Sequence, residues 1–194
     1  MTLIRYLTFS IVLCGLTSAA QAAIVLTTIL SGGIESPPNA SAGTGTATLT
    51  FDDALLTMRL QAAFSNLTGT VTAAHIHATT TLPNTGTAAV ATQTPTFIGF
   101  PAGVTSGNYD NTFDMSQGAS YNAPFLAANG GDPTAAYAAL RDASIASRSY
   151  LNIHTTSFTG GEIRGFFAVP EPSCLGFGML LLGLTANRRQ RRNI

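Results

Sequence analysis

The sequence predicts an all-β fold, an antiparallel β-sandwich or small barrel with one short helix. Short segments that are β-branched, or that alternate apolar and polar residues, recur along the chain between turn-rich loops. Only one segment has a helical pattern, and the chain shows neither heptads nor an internal repeat. Charged residues make up 9% of the chain while threonine and serine are abundant, which is typical of an exported β domain.

The predicted strands follow one another with little helical interruption. In chain order they are 24–30, 45–51, 54–62 and 71–77, with a weaker strand at 111–115. Leu56, Met58 and Leu60 alternate with mostly polar residues, as expected for a sheet with one solvated face. The single predicted helix has Asp132 as its N-cap, Pro133 at its first position and an alanine-rich body.

A final β-hairpin is predicted over residues 149–167, with Gly160 and Gly161 supplying the turn. Alternate residues of a strand share a face of the sheet. One face of this hairpin is therefore expected to carry four polar side chains, Asn152, His154, Glu162 and Arg164.

The central domain, residues 23–168, is mildly acidic. It contains four arginines, eight Asp or Glu residues and no lysine, so its net charge is about −4. We therefore expect no nucleic-acid partner, because such partners require a basic surface. Cys14 and Cys174 both lie outside the domain, which excludes an internal disulfide, a thiolate nucleophile and a cysteine metal site within it.

Residues 1–22 have the pattern of a secretory signal peptide. Arg5 provides the positive n-region, 7–16 is the apolar region, and Ala20 and Ala22 fit the small-x-small cleavage rule. A transmembrane helix is the alternative, but an apolar run of this length gives about 15 Å of helix against about 30 Å of hydrocarbon. We therefore expect export followed by cleavage.

Residues 169–194 combine three features in a fixed order. Pro170, Glu171 and Pro172 form a Pro-Glu-Pro motif that ends the preceding strand. A short apolar segment, 173–186, is the predicted hydrophobic anchor helix. The tail carries Arg188, Arg189, Arg191 and Arg192, which the positive-inside rule keeps cytoplasmic. We expect a temporary inner-membrane anchor; the alternative is a buried C-terminal helix with a solvated basic end.

This three-part end closely resembles the PEP-CTERM sorting signal of Gram-negative bacteria. The resemblance implies processing near the Pro-Glu-Pro motif by an exosortase-type membrane protease. It also implies delivery to the cell surface or to an exopolysaccharide (biofilm) matrix, where extracellular polysaccharide or other surface proteins are the expected partners. It does not define the activity of the central domain.

Four parts of the central domain resemble the CHRD module, which is named after chordin. They are Leu30-Ser31-Gly32 with Glu35 and Pro37-Pro38, then Ala74-His75-Ile76-His77, then residues 150–155, and finally residues 160–165. The resemblance covers nearly all of 23–168, although 86–145 carries little of the pattern. For bacterial members it implies a secreted β domain of largely unassigned activity.

The three histidines of the chain define a candidate metal site. His75 and His77 share one strand face, and His154 from the final hairpin is the third candidate ligand. Neutral imidazoles suit copper or zinc. The arrangement is similar to Cu,Zn superoxide dismutase, in which a His-Val-His strand of a β-sandwich binds copper. That enzyme uses more histidines, a zinc-binding Asp and a disulfide, so dismutase activity is not expected here.

The alternative is a buried hydrogen-bonded network in which Asn152, Glu162 and Arg164 hold the histidines without a metal. The chain has no Gly-x-Ser-x-Gly, phosphate-loop or His-Glu-x-x-His motif, so we expect no catalysis, with a metal-dependent activity as the alternative. The sequence thus favours an exported, non-enzymatic protein with a structural or binding role and no cofactor. The alternative function is an extracytoplasmic copper- or zinc-binding protein.

Overall fold

The structure is a computed structural model that describes residues 23–171. Its strands are β1 (Ile24–Ser31), β2 (Thr44–Asp52), β3 (Thr57–Ser65), β4 (Val71–Ala78), β5 (Gly107–Asp114), β6 (Ser149–Thr155) and β7 (Ile163–Phe166). Its helices are α1 (Ala123–Ala128) and α2 (Pro133–Ile145), with short 3-10 turns at Gly32–Ile34 and Gly118–Ser120. The all-β expectation is confirmed for this part of the chain, although it contains two α-helices where one was predicted.

The seven strands form one antiparallel sheet in the order β4-β6-β7-β1-β2-β3-β5. The sheet curls so far that its two edges meet at one end. There, Val71 at the start of β4 donates to Val104 and accepts from Gly103, both at 2.9 Å, just before β5 begins. The predicted sandwich or small barrel is therefore a single curled sheet wrapped around one core.

The core lies on the concave face of this sheet and is capped by α2. The residues that fill it alternate along the strands and include Leu26, Leu30, Leu49, Phe51, Met58, Leu60, Ile76 and Leu151. Tyr137 of α2 packs edge-on against Phe51, with ring centroids 5.7 Å apart. The predicted N-cap is confirmed, because the Asp132 side chain accepts a hydrogen bond from the Thr134 backbone at 2.9 Å.

Two of the predicted strands differ from the observed ones by more than one residue at an end. The segment predicted to start at residue 54 begins at Thr57, because 53–56 form the hairpin turn. Asp52 holds that turn by accepting hydrogen bonds from the backbones of Ala54 and Leu55. The weak strand at 111–115 is instead β5, an eight-residue strand paired with β3 along its length. Pairing with a neighbour stabilises this polar segment beyond its own propensity.

The final hairpin is β6 and β7, and it is buried on both faces. One face meets the core through Leu151, Ile153 and Ile163. The other face carries Asn152 and Arg164, which are opposite each other in the register and also buried. Loops lie over this second face, which therefore forms a small polar interior apart from the main core.

No helix among residues 23–171 is long and apolar enough to cross a membrane. The predicted signal peptide with Ala20 and Ala22, and the predicted anchor segment with Pro172 and the four tail arginines, lie outside the described residues. Pro170 and Glu171 are described, and both are exposed just after the sheet ends.

Candidate metal centre

The structure brings the three histidines together on the polar face of β4 and β6. His75 and His77 alternate along β4, and His154 of β6 is opposite Ala73 in the register, which makes it the diagonal neighbour of His75. The ring centroids are 4.8 Å apart for His75 and His154, 5.4 Å for His75 and His77, and 6.1 Å for His77 and His154. One nitrogen from each ring lies within 4.8 Å of the other two.

Each imidazole is held by a backbone carbonyl on its other nitrogen. His75 Nε2 bonds to the Pro95 carbonyl at 2.9 Å, His77 Nδ1 to Ala88 at 2.8 Å, and His154 Nδ1 to Thr159 at 2.9 Å. A carbonyl oxygen only accepts, so each of these ring nitrogens carries the proton. The lone pairs therefore lie on His75 Nδ1, His77 Nε2 and His154 Nε2.

Those three lone-pair nitrogens are buried and have no hydrogen-bond partner within the described residues. Burial lowers the pKa of His75 to about 4, with a further lowering from His154 and His77 that outweighs the opposing bond to Pro95. Burial also lowers the pKa of His77. Both imidazoles are thus neutral at neutral pH, which is the protonation state that binds a metal ion.

The carbonyls that hold His75 and His77 come from one loop that runs beside the outer edge of β4. Its backbone is fixed by hydrogen bonds from Ala78 to Ala89 at 3.1 Å, from Ala91 to Ile76 at 2.9 Å and from Phe97 to Ala74 at 3.1 Å. This pairing places Ala88 and Pro95 over the two rings. The loop therefore covers the strand edge and orients both imidazoles.

Tyr150 and Arg164 form the side of the site towards β7. The His77 ring lies parallel to the Tyr150 ring at 4.8 Å, and the Arg164 guanidinium lies 4.8 Å from the centroid of the same Tyr150 ring. Arg164 also donates to the carbonyls of Ile34 at 2.6 Å and Gly86 at 3.2 Å. It is 3% exposed, so its charge is held in the protein interior.

Glu35 lies beside Arg164, with 3.7 Å between Glu35 Oε2 and Arg164 Nε. Burial raises the pKa of Glu35 to about 7, against the lowering effect of Arg164. Its other oxygen, Oε1, and the Asn152 Oδ1 atom are both buried and have no hydrogen-bond partner among residues 23–171. Both face Gly161, where an added Cβ would lie 2.8 Å from Glu35 Oε1 and 2.5 Å from Asn152 Oδ1.

Glu162 does not join the histidines, although alternation predicts that it would share their face. Its carboxylate accepts from the Ser41 hydroxyl, the backbone amides of Thr68 and Gly69, and the Thr155 hydroxyl. Burial alone would raise the pKa of Glu162, but these hydrogen bonds together lower it. Glu162 thus anchors two loops on the other face of the hairpin.

The polar residues predicted as one network therefore fall into two groups. Arg164 and Asn152 lie on the histidine face, and Glu162 lies on the other. Sequence reasoning missed the carbonyls of Ala88, Pro95 and Thr159, which carry no side-chain signal. It also missed the roles of Tyr150 and Glu35, although both lie within the segments that resemble the CHRD module.

The three histidines are arranged so that they could hold a metal ion. Ligating histidines usually donate their second N–H to a carbonyl or carboxylate, which fixes the tautomer and the ring orientation. Here all three rings do so, and their free lone pairs converge. Zinc–nitrogen bonds are about 2.0–2.1 Å long, so a small inward movement of the rings would place all three nitrogens around one ion.

A protein-family model described as the CHRD domain matches residues 26–167, which is most of the chain. No curated protein matches the chain. No solved structure matches it either.

Proposed function

The chain belongs to the CHRD domain family, and we propose that it is an exported, non-catalytic metal-binding protein that holds one copper or zinc ion between His75, His77 and His154. Family membership suggests at most a non-catalytic, extracellular binding role. The geometry of the three histidines favours a metal ion as the bound ligand.

One observation carries this proposal. Three imidazole nitrogens lie buried within 4.8 Å of one another, each without a partner in the described residues. Leaving a buried polar atom unsatisfied costs about 1–3 kcal/mol. A fold that places three such atoms together compensates this cost if an ion binds all of them, and the carbonyl contacts already orient the rings for it.

The location of the protein is also part of the proposal. We infer that the signal peptide at 1–22 exports the chain, and that the sorting signal at 169–194 is processed by an exosortase-type protease. The domain then acts at the cell surface or in the extracellular matrix, near polysaccharide or other surface proteins. The support for this is the order of motifs at the two ends of the sequence.

Metal content tests the binding function. The purified full chain is stripped with a chelator, loaded separately with copper or zinc, desalted, and analysed for metal. We expect one ion per chain, an increase in melting temperature on loading, and loss of both in His77→Ala. Thr72→Ala is the control, because Thr72 is exposed on the same strand. Substoichiometric metal that is unchanged in His77→Ala would contradict the proposal.

Deletion of the sorting signal tests the location. A chain that ends at Pro172 lacks the apolar segment and the arginine tail. We expect it to leave the cell envelope and appear in the soluble exported fraction. Unchanged envelope retention would show that this segment is not an anchor.

A further inference from the structure

We propose that the three-histidine centre selects monovalent copper, Cu(I), over divalent zinc. This inference rests on the proposed metal-binding function and specifies which ion the centre takes. Three features of the site support it: the number of ligands, the shielding of the ligand atoms, and the charge around them.

The first feature is the number of ligands. Within residues 23–171, the ligand group consists of the three histidines, with no Asp, Glu or Cys side chain joining them. Zinc in proteins almost always takes four ligands in a tetrahedron. Cu(I) has a filled d shell and a single charge, and three nitrogen ligands complete its coordination in a trigonal arrangement.

The second feature is the shielding of the ligand atoms. His75 Nδ1, His77 Nε2 and His154 Nε2 are all buried from solvent. The loop at 88–97 beside β4 and the turn at 158–161 supply the carbonyls that hold the rings from outside. A water molecule is the usual fourth ligand where zinc has only three protein ligands. A site that solvent scarcely reaches supplies that water poorly, which disfavours zinc more than Cu(I).

The third feature is the charge. The three ligands are neutral imidazoles, so no ligand offsets the charge of the ion. Arg164 lies buried on the far side of Tyr150 from His77, with its guanidinium 4.8 Å from the centroid of the Tyr150 ring. A divalent ion therefore meets twice the repulsion from Arg164 that a monovalent ion meets. Its desolvation penalty is about four times as large for an ion of similar size, because that penalty scales with the square of the charge.

Glu35 offsets the positive charge of Arg164 only in part. It is 3.7 Å from Arg164 and its pKa is about 7, so near neutral pH much of its population is uncharged. Glu162 is a second buried carboxylate, and it lies in the hairpin. It accepts hydrogen bonds on the opposite face from Ser41, Thr68, Gly69 and Thr155. The Arg164–Glu35 pair on the histidine face is thus net positive or neutral.

Competition titrations test this selectivity. The metal-free full chain is titrated at pH 8, where Glu35 is mostly ionised, with Cu(I) against bicinchoninate under nitrogen and with Zn(II) against a zinc-binding dye. One unit charge acting across about 10 Å of protein changes an equilibrium roughly tenfold. Glu35 offsets much of the Arg164 charge at this pH, so the missing fourth ligand supplies most of the preference, and we expect a dissociation constant at least about tenfold lower for Cu(I) than for Zn(II).

Two charge variants identify the cause. Glu35→Gln removes the opposing negative charge and should increase the Cu(I)-over-Zn(II) ratio several-fold, whereas Arg164→Met should decrease it about tenfold. Arg59→Met is the matched control and should leave the ratio unchanged, because the Arg59 side chain is half-exposed on β3 and pairs with Asp110. If Arg164→Met does not fold, Glu35→Gln alone decides the charge effect.

The possible failures are distinct. Binding of Zn(II) at one equivalent, as tightly as Cu(I) or more tightly, would overturn the selectivity while leaving the metal-binding function intact. An unchanged ratio in Glu35→Gln would also overturn it, since the charge argument would then be wrong. Failure of the chain to bind either ion would overturn the metal-binding function itself.

Discussion

Tyr150 lies flat against His77, with ring centroids 4.8 Å apart and an angle of only 5° between the ring planes. The two residues are direct partners across β4 and β6, so the strand register creates the contact. The Tyr150 hydroxyl also contacts Ala88, whose carbonyl accepts from His77. Tyr150 therefore positions a candidate ligand both through its ring and through the loop that holds that ligand.

Replacing Tyr150 tests this positioning role. We expect Tyr150→Leu to weaken metal binding by about 10- to 100-fold, as is typical when a group that supports a ligand is lost. Tyr150→Phe keeps the stacked ring and should lose much less. Affinity is measured by competition titration, and the geometry of the site by the electron paramagnetic resonance spectrum of the chain loaded with Cu(II). Loss of a contact that only stabilises the fold would leave this spectrum unchanged. Equal affinities in all three proteins would rule out the role.

Gly161 is required where Glu35 and Asn152 approach the β6–β7 turn. Its φ is +129°, and an added Cβ would lie 2.5 Å from Asn152 Oδ1 and 2.8 Å from Glu35 Oε1. We expect Gly161→Ala to lower the free energy of unfolding by about 2–3 kcal/mol, from backbone strain and steric overlap together. The neighbouring Gly160→Ala is the control, because no atom of the described part of the chain lies within 4 Å of its added Cβ. Urea unfolding of both variants gives the comparison.

Glu162 ties the final hairpin to the loops at Ser41 and Thr68. Glu162→Gln keeps the size of the side chain but loses the charge that accepts these hydrogen bonds, so we expect a destabilisation of about 2–3 kcal/mol at pH 7. The folded pKa of Glu162 is lowered, so its stabilisation is present above its unfolded pKa and is lost as the pH falls through the folded value. The difference from the wild-type chain should therefore shrink in acid. A pH-independent difference in urea midpoints would contradict this.

Glu35 should show the opposite pH dependence. Burial raises its pKa from 4.5 to about 7, so the stability linked to its protonated form is fully present below pH 4.5 and is lost as the pH rises through about 7. Gln mimics the protonated acid. We therefore expect Glu35→Gln to gain stability relative to the wild-type chain between pH 5 and about 8. Thermal melts of the metal-free proteins across this range provide the measurement, and a constant difference would show that the carboxyl does not titrate there.

The positions of His75 and His77 could be predicted from the sequence because they depend on one strand alone. Alternation places both on one face of β4, and the structure shows them there. The hairpin at 149–167 and the N-cap at Asp132 are equally local features, and both are present. A side chain on the wrong face of a strand, or a missing helix cap, destabilises the same strand or helix in which it occurs. The local sequence pattern is therefore sufficient to specify these features.

Glu162 shows where the local pattern fails. Alternation along a strand predicts that Glu162 shares a face with Arg164. However, β7 begins only at Ile163, so Glu162 lies before the pleated strand. Its backbone amide donates to Ile153 at 2.8 Å while its side chain turns towards Thr155. The donors that draw it there are more than 90 residues away along the chain at Thr68 and Gly69. No window of sequence around Glu162 contains them.

The sequence by itself determined an acidic, low-charge β domain with three histidines as candidate metal ligands, and it predicted a targeting segment on each side of that domain. Only the tertiary structure decided that a carbonyl occupies one nitrogen of each ring and that the three remaining nitrogens converge. The physical reason is that side-chain alternation is fixed by each strand's own geometry, whereas the pairing of β4 with β6 and the course of the edge loop depend on long-range packing.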